Sequence, residues 1–306
     1  ERPVKIYGLR FHRWQATANA NWLRLEPPSG RFQPDDTLRI GVDQSGLAAG
    51  TYSGTISVRD LDMPGPAVTI AVELVVNDGQ IEERLPELTS AGIVNGANLR
   101  SGRLAPGSLV TIFGRNLATT TASASSFPLP FQLGGTEVIF SGIRAALLYV
   151  SPEQINLLAP ADTFAGRGGI IVRTGFGQNR GEPVDVLPTA PELFVSGERS
   201  AIALNQNGSL NGRDNPAAIG EVVTVFLTGQ GPTEPYSTSE RPAPTDPPAQ
   251  VVSNRSAQVA GREATVHFLG LTPGFSGLAQ VNVEIPPGLT GELAVRVQID
   301  GRWSNT

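Results

Sequence analysis

Two stretches far apart in the chain are written nearly alike. Residues 104–117 read LAPGSLVTIFGRNL, and residues 217–231 read AAIGEVVTVFLTGQG. The segments downstream of each also match. A Ser/Thr/Pro-rich stretch comes first (118–130, ATTTASASSFPLP, against 232–248), then GGTEVIFSG (134–142) against VAGREATVHF (259–268). YVSPEQINLLAP (149–160) matches GLAQVNVEIP (277–286), and GIIVRTG (169–175) matches ELAVRVQIDG (292–301). Gln154-Ile155-Asn156 with Pro160 and Gln280-Val281-Asn282 with Pro286 keep the same order and spacing. Two sequential copies of one unit, 88–187 and 188–306, account for this, and solenoid periods are shorter.

The units are made of strands. Apolar runs rich in Val, Ile, Phe and Thr, such as TISV (55–58), VTIAVELVV (68–76), SLVTIF (108–113) and VVTVFL (222–227), recur between Gly, Pro, Asn and Asp clusters. Short strands at regular spacing with turn signals between them predict an all-β sandwich architecture. Asn207-Gly208, inside AIALNQNGSL (201–210), supplies the positive φ angles of a tight hairpin. Residues 1–78 read differently. WLRL (22–25) runs into a Pro-Pro-Ser-Gly turn, LRIGV (38–42) alternates, and GLAAGTYSGTISV (46–58) leads to VTIAVELVV. The polar stretch NDGQIEERLPE (77–87) is a linker. The expected domains are therefore 1–78, 79–187 and 188–306.

Composition narrows the chemistry. With no Cys, disulfides, thiolate catalysis and cysteine-ligated metals are excluded. The net charge is −5 with both signs interspersed, so no basic stripe marks a nucleic-acid partner. No apolar run reaches the ~18 residues of a membrane-spanning helix, and the opening ERPVKIYGL has no signal-peptide core.

WLRLEPPSG (22–30) and GLAAGTYSGTISV (46–58) resemble a BACON domain, an immunoglobulin-like module of bacterial surface proteins. Residues 88–306 resemble two IPT/TIG-like immunoglobulin units. They are similar above all to an uncharacterised C-terminal domain family of large secreted acidobacterial proteins. NGANLRSGRLAPGSLVTIFGRNLA, LGGTEVIFSGIRAALLYVSPEQINLLAP, ALNQNGSLNGRDNPA and VTVFLTGQGP carry that likeness. The resemblance implies three tandem immunoglobulin-like sandwiches, secreted or on a bacterial surface, and no reaction.

Catalytic signatures are missing. His12 and His267 are the only imidazoles, and no nucleophile elbow, HExxH or phosphate loop occurs. No cofactor is expected. Asn205, Asn207, Asn211 and Asp214 read as a hairpin and loop in preference to a Ca²⁺ site, and Asp35-Asp36 as a solvated turn. Trp22 is expected in a core. Tyr7, Trp14 and Trp303 are the candidates for stacking on a glycan.

The repeat adds one inference. After GIIVRTG the first unit continues through FGQNRGEPVDVLP (176–188), its closing strand. After ELAVRVQIDG the second has only RWSNT (302–306). Few residues precede Trp22, so an opening strand is expected to be lacking there too. A sandwich short of a strand exposes backbone donors and acceptors and an apolar groove. The candidate assembly edges are Val4 and Ile6 at one end and Leu293, Val295, Val297 and Ile299 at the other. The expected function is a non-enzymatic extracellular stalk, adhesin or filament subunit. Its partners are further copies or neighbouring domains of a longer chain, joined by strand addition. The alternatives are a glycan-binding module of a surface polysaccharide system and an accessory region of a larger secreted enzyme.

Overall fold

The computed structural model describes residues 2–5, 12–32, 37–63, 65–76, 84–197 and 200–306. Among them there is no α-helix, and every paired strand runs antiparallel to its neighbour. No helix long and apolar enough to cross a membrane occurs among the described residues. The chain is an all-β protein of immunoglobulin-like sandwiches. It divides into two compact units, Glu1–Glu83 and Arg84–Thr306.

Among the described residues the first unit has seven strands: β1 (Arg2–Lys5), β2 (Arg13–Ala18), β3 (Leu23–Glu26), β4 (Ser29–Arg31), β5 (Thr37–Val42), β6 (Gly50–Asp60) and β7 (Val68–Val76). They form two sheets, ordered β1-β5-β3 and β4-β2-β6-β7. The alternation of RWQATA in β2 sends Trp14 and Ala16 inward. Trp14, Trp22, Leu23, Phe32, Leu38 and Ile56 make the core, with Ile70, Val72 and Leu74 packed against it. Gly30 lies directly over the Trp14 ring, where an added Cβ would come within 2.9 Å of two ring carbons. The opening strand expected to be lacking is present as β1, with Val4 facing Leu38 of β5. Among the described residues, strands of 4 and 6 residues precede Trp22.

A corner after β6 is held by Asp62. Its carboxylate accepts from Arg13 Nη2 at 2.5 Å and from the Arg13 amide at 2.7 Å. These bonds hold the carboxyl at about 2, below its ordinary value. A depressed carboxyl stabilises the fold at pH values above its unfolded pKa near 4. That stabilisation is lost as pH falls from about 4 to about 2. An NMR titration of the Asp62 carboxyl should give a midpoint near 2, and Asp62→Asn should flatten the fall in melting temperature across that window.

The second unit contains both repeats, each with its own core; among the described residues the first forms a five- and a six-stranded sheet, and the second a seven- and a four-stranded sheet with a two-stranded ribbon, Val195–Ser196 against Ser200–Ala201. The first core gathers Ile112, Val138, Phe140, Leu147, Ile155 and Val172, and the second Val225, Leu227, Val259, Val281, Val297 and Ile299. The shared Gln-x-Asn now has a physical reason. Asn156 Oδ1 accepts from Gln154 Nε2 (2.8 Å) and from Thr111 Oγ1 on the adjoining strand (3.1 Å). Asn282 Oδ1 does the same with Gln280 (3.1 Å) and Thr224 (3.2 Å). The motif pins two neighbouring strands in register.

The two repeats pack on each other within this unit. Glu192 is buried between them. Its carboxylate accepts from Arg103 Nε (2.6 Å), from Asn98 Nδ2, and from the Asn305 amide (3.3 Å). Arg103 Nη2 also donates to the Trp303 carbonyl (2.7 Å), so one ion pair ties the first repeat, the junction and the last strand together. Thr228 Oγ1 accepts from the Leu109 amide (2.9 Å) and donates to the Gly277 carbonyl (3.1 Å). Gly277, at φ +67°, must lack a side chain, since a Cβ would sit 2.1 Å from Leu158. The long Pro-rich loop of the second repeat lies along the first. Tyr236 OH donates to Asp162 (2.8 Å), Ser239 Oγ to the Ala159 carbonyl (2.9 Å), and the Leu129 amide to the Glu240 carbonyl (2.7 Å).

Removing Arg103 leaves the Glu192 carboxylate buried without its counter-charge. Arg103→Ala should destabilise Arg84–Thr306 by about 3–5 kcal/mol, read from urea unfolding of the full chain.

Candidate functional site

The turn Ser141-Gly142 (φ 49° and 88°) in the first repeat corresponds to Ala260-Gly261 (φ 50° and 76°) in the second, which corrects the pairing read from sequence: TEVIFSG (136–142) matches RSAQVAG (255–261), and VHF lies on a later strand, Val266–Leu271. The residue before each turn, Phe140 or Val259, faces Ile170 or Val295 across the ladder. Ile170 and Val295 therefore hold the same place. In the first repeat, Glu182–Val186 covers the outer edge there, pairing from Gly166↔Val186 to Ile170↔Glu182. In the second, among the described residues, no strand lies beside the equivalent stretch 291–295. The side chains agree: Ile170 is fully buried, whereas Val295 is only half-buried.

The rest of that edge is closed. Asp300 and Gly301 (φ 49° and 76°) turn the chain back into a short strand, Arg302–Trp303, which pairs with Gln298 and Ile299. The Ser304 amide donates to the Val297 carbonyl (2.8 Å), and the Val297 amide to Ser304 Oγ (3.0 Å). This corrects the expectation of an edge open from Leu293 to Ile299. Val297 and Ile299 are fully buried core residues with their edge occupied, and only Leu293 and Val295 border the uncovered part. At the other end Val4 has one edge on β5, and Ile6 lies outside the described residues.

The aromatic candidates separate. Trp14 is fully buried, so it offers no face to a sugar. Its place is set by the inward phase of β2. Trp303 is half-buried, with the Arg296 guanidinium 4.6 Å from its ring centre. Tyr7 lies outside the described residues. Trp22 is buried as expected.

Other polar groups serve local structure. His12 Nδ1 meets Asp60 at 3.0 Å, and His267 Nε2 meets Glu284 at 3.0 Å, each with a single carboxylate. In the asparagine-rich loop, Asn211 donates to Asn205 Oδ1 (2.7 Å), Asn205 to the Asn215 carbonyl (2.9 Å), and Asn215 to Ser209 Oγ (2.8 Å). The oxygens there are spent on the turn. No group of three or more His, Asp or Glu fit to hold a metal gathers among the described residues. A surface depression of about 570 Å³ on the first repeat has Arg167 and Glu182 as its charged groups, with Ile139, Ile171 and Phe164 around them. Sequence reasoning missed the Glu192–Arg103 pair. Its one local signal is a lone carboxylate in the apolar run APELFV (190–195).

No family model and no curated protein sequence matches the chain. Solved structures resemble it in being strings of β-sandwiches. The Bacteroides ovatus mixed-linkage glucan utilization locus protein SGBP-B, in complex with a mixed-linkage heptasaccharide, is 15% identical at a TM-score of 0.31, over 95% of this chain and 60% of that one. A tandem from titin is 9% identical at 0.22, over 96% of this chain and 86% of that one. Domains 4–9 of the surface layer protein SbsC are 13% identical at 0.22, over 98% of this chain and 38% of that one. The chain thus spans about three fifths of the first and two fifths of the last. At scores this low, superposition carries neither ligand nor partner across.

A buried Trp14 makes a clear prediction. Trp14→Ala should cost about 3–5 kcal/mol of stability in the first unit, seen as an early unfolding transition by calorimetry.

Proposed function

We propose that this is a non-enzymatic extracellular structural or interaction protein, a stalk, adhesin or filament subunit built from a BACON-like domain and two IPT/TIG-like domains. It joins further copies or neighbouring domains by accepting a strand at the uncovered edge of the second repeat. The observation that carries this is the difference between repeats: a covered Ile170 in one, a half-buried Val295 in the other. An added strand there satisfies backbone groups and buries apolar side chains, each worth about 1.5–3 kcal/mol. Export is supported by the resemblance of residues 88–306 to a family of secreted proteins. Glycan stacking has less support, since Trp14 is buried and Arg296 lies over Trp303.

The test is self-complementation. By the correspondence of the repeats, the sequence of residues 182–187 appended directly after Thr306 falls in register beside 291–295. The extended chain should melt about 5–10 °C higher in its second unit and lose the higher-order species that the unmodified chain forms on concentration. An unmodified chain that stays unassembled under electron microscopy at high concentration, or an extension that changes nothing, overturns the proposal.

A further inference from the structure

β7 is the outer strand of its sheet. It pairs with β6 at every position from Val68↔Val58 to Val76↔Gly50, without a bulge. Among the described residues no strand lies on its other side. Its sequence, VTIAVELVV, is strongly strand-forming, has no Pro or Gly, and carries one charge, Glu73. Edge strands are ordinarily guarded by brevity, bulges, Pro or Lys. The other outer strands of this unit are short: β1 has 4 residues, β3 has 4 and β4 has 3. β7 has 9 and none of these guards.

The pattern of β7 fits one partner, itself. Residues directly opposite in an antiparallel pair share a face. A two-fold axis through Val72 sets Val68 opposite Val76, Thr69 opposite Val75, Ile70 opposite Leu74, and Ala71 opposite Glu73. Core-facing Ile70, Val72 and Leu74 then meet one another, and the exposed set meets the exposed set. All 9 residues pair, and neither carboxylate faces its twin. A slip of two residues centred on Glu73 would oppose the two carboxylates directly, and a slip of one would put core-facing residues opposite exposed ones.

We propose that β7 is a homodimerisation strand, joining the four-stranded sheets of two copies into one continuous sheet in the register centred on Val72. The dimer is closed by its two-fold axis. It uses a different edge from the strand addition proposed above and does not depend on it.

Sedimentation equilibrium of the full chain tests the register. Ala71 is exposed on the outer face, so charges placed there leave the core intact. Ala71→Glu sets each new carboxylate opposite Glu73 of the other copy, two repulsions in all, and should weaken the dimer about 2- to 30-fold. Ala71→Lys replaces them with two opposite-charge pairs and should tighten it by a similar factor. Near-UV circular dichroism confirms that both variants are folded. A chain that is monomeric at about 200 µM, or variants that leave association unchanged or shift it in the same direction, overturns the pairing. Association beyond two copies that the appended strand abolishes, with no response to substitution of Ala71, belongs to the second repeat and also overturns it.

Discussion

A β-strand has two hydrogen-bonding edges, and an all-β chain must find a partner, solvent or a cap for each of them. Nearly every local feature of this molecule answers that demand. The Asp300-Gly301 turn exists to lay Arg302–Trp303 against Gln298 and Ile299. Glu182–Val186 does the same service along the whole of Gly166–Ile170. Among the described residues no strand lies beside 291–295 or on the outer side of β7, and half-buried apolar side chains border both.

The second constraint is the charge of Glu192, buried between the repeats. Glu192 has lost its water and is compensated by Arg103, Asn98 and the Asn305 amide. A buried pair of this kind gives modest net stability but punishes any arrangement that separates the partners. Its contributors come from three distant parts of the sequence. With Thr228 and the docked loop 236–240, they make residues 84–306 one compact unit, where sequence alone reads two domains in series.

Much of the fold is legible locally. Period-two alternation and Gly, Pro and Asn turns place the strands, because both depend only on neighbouring residues. Gln154-Ile155-Asn156 and Gln280-Val281-Asn282 mark the repeat because the same cross-strand bond to Thr111 or Thr224 is needed twice. Trp22 reads correctly as core. Trp14 does not, because the alternation of β2 divides its residues between two faces without saying which of them packs against the second sheet.

The order of residues is enough to establish that this protein is all-β and that it repeats. The packed chain was needed to show which edges are covered, that Arg302–Trp303 folds back beside Gln298 and Ile299, that Trp14 is interior, and that β7 is the outermost described strand of its sheet. The division has a physical cause. Strand formation and turns are set by side chains within a few residues, whereas edge pairing and burial depend on backbone brought together from across the chain.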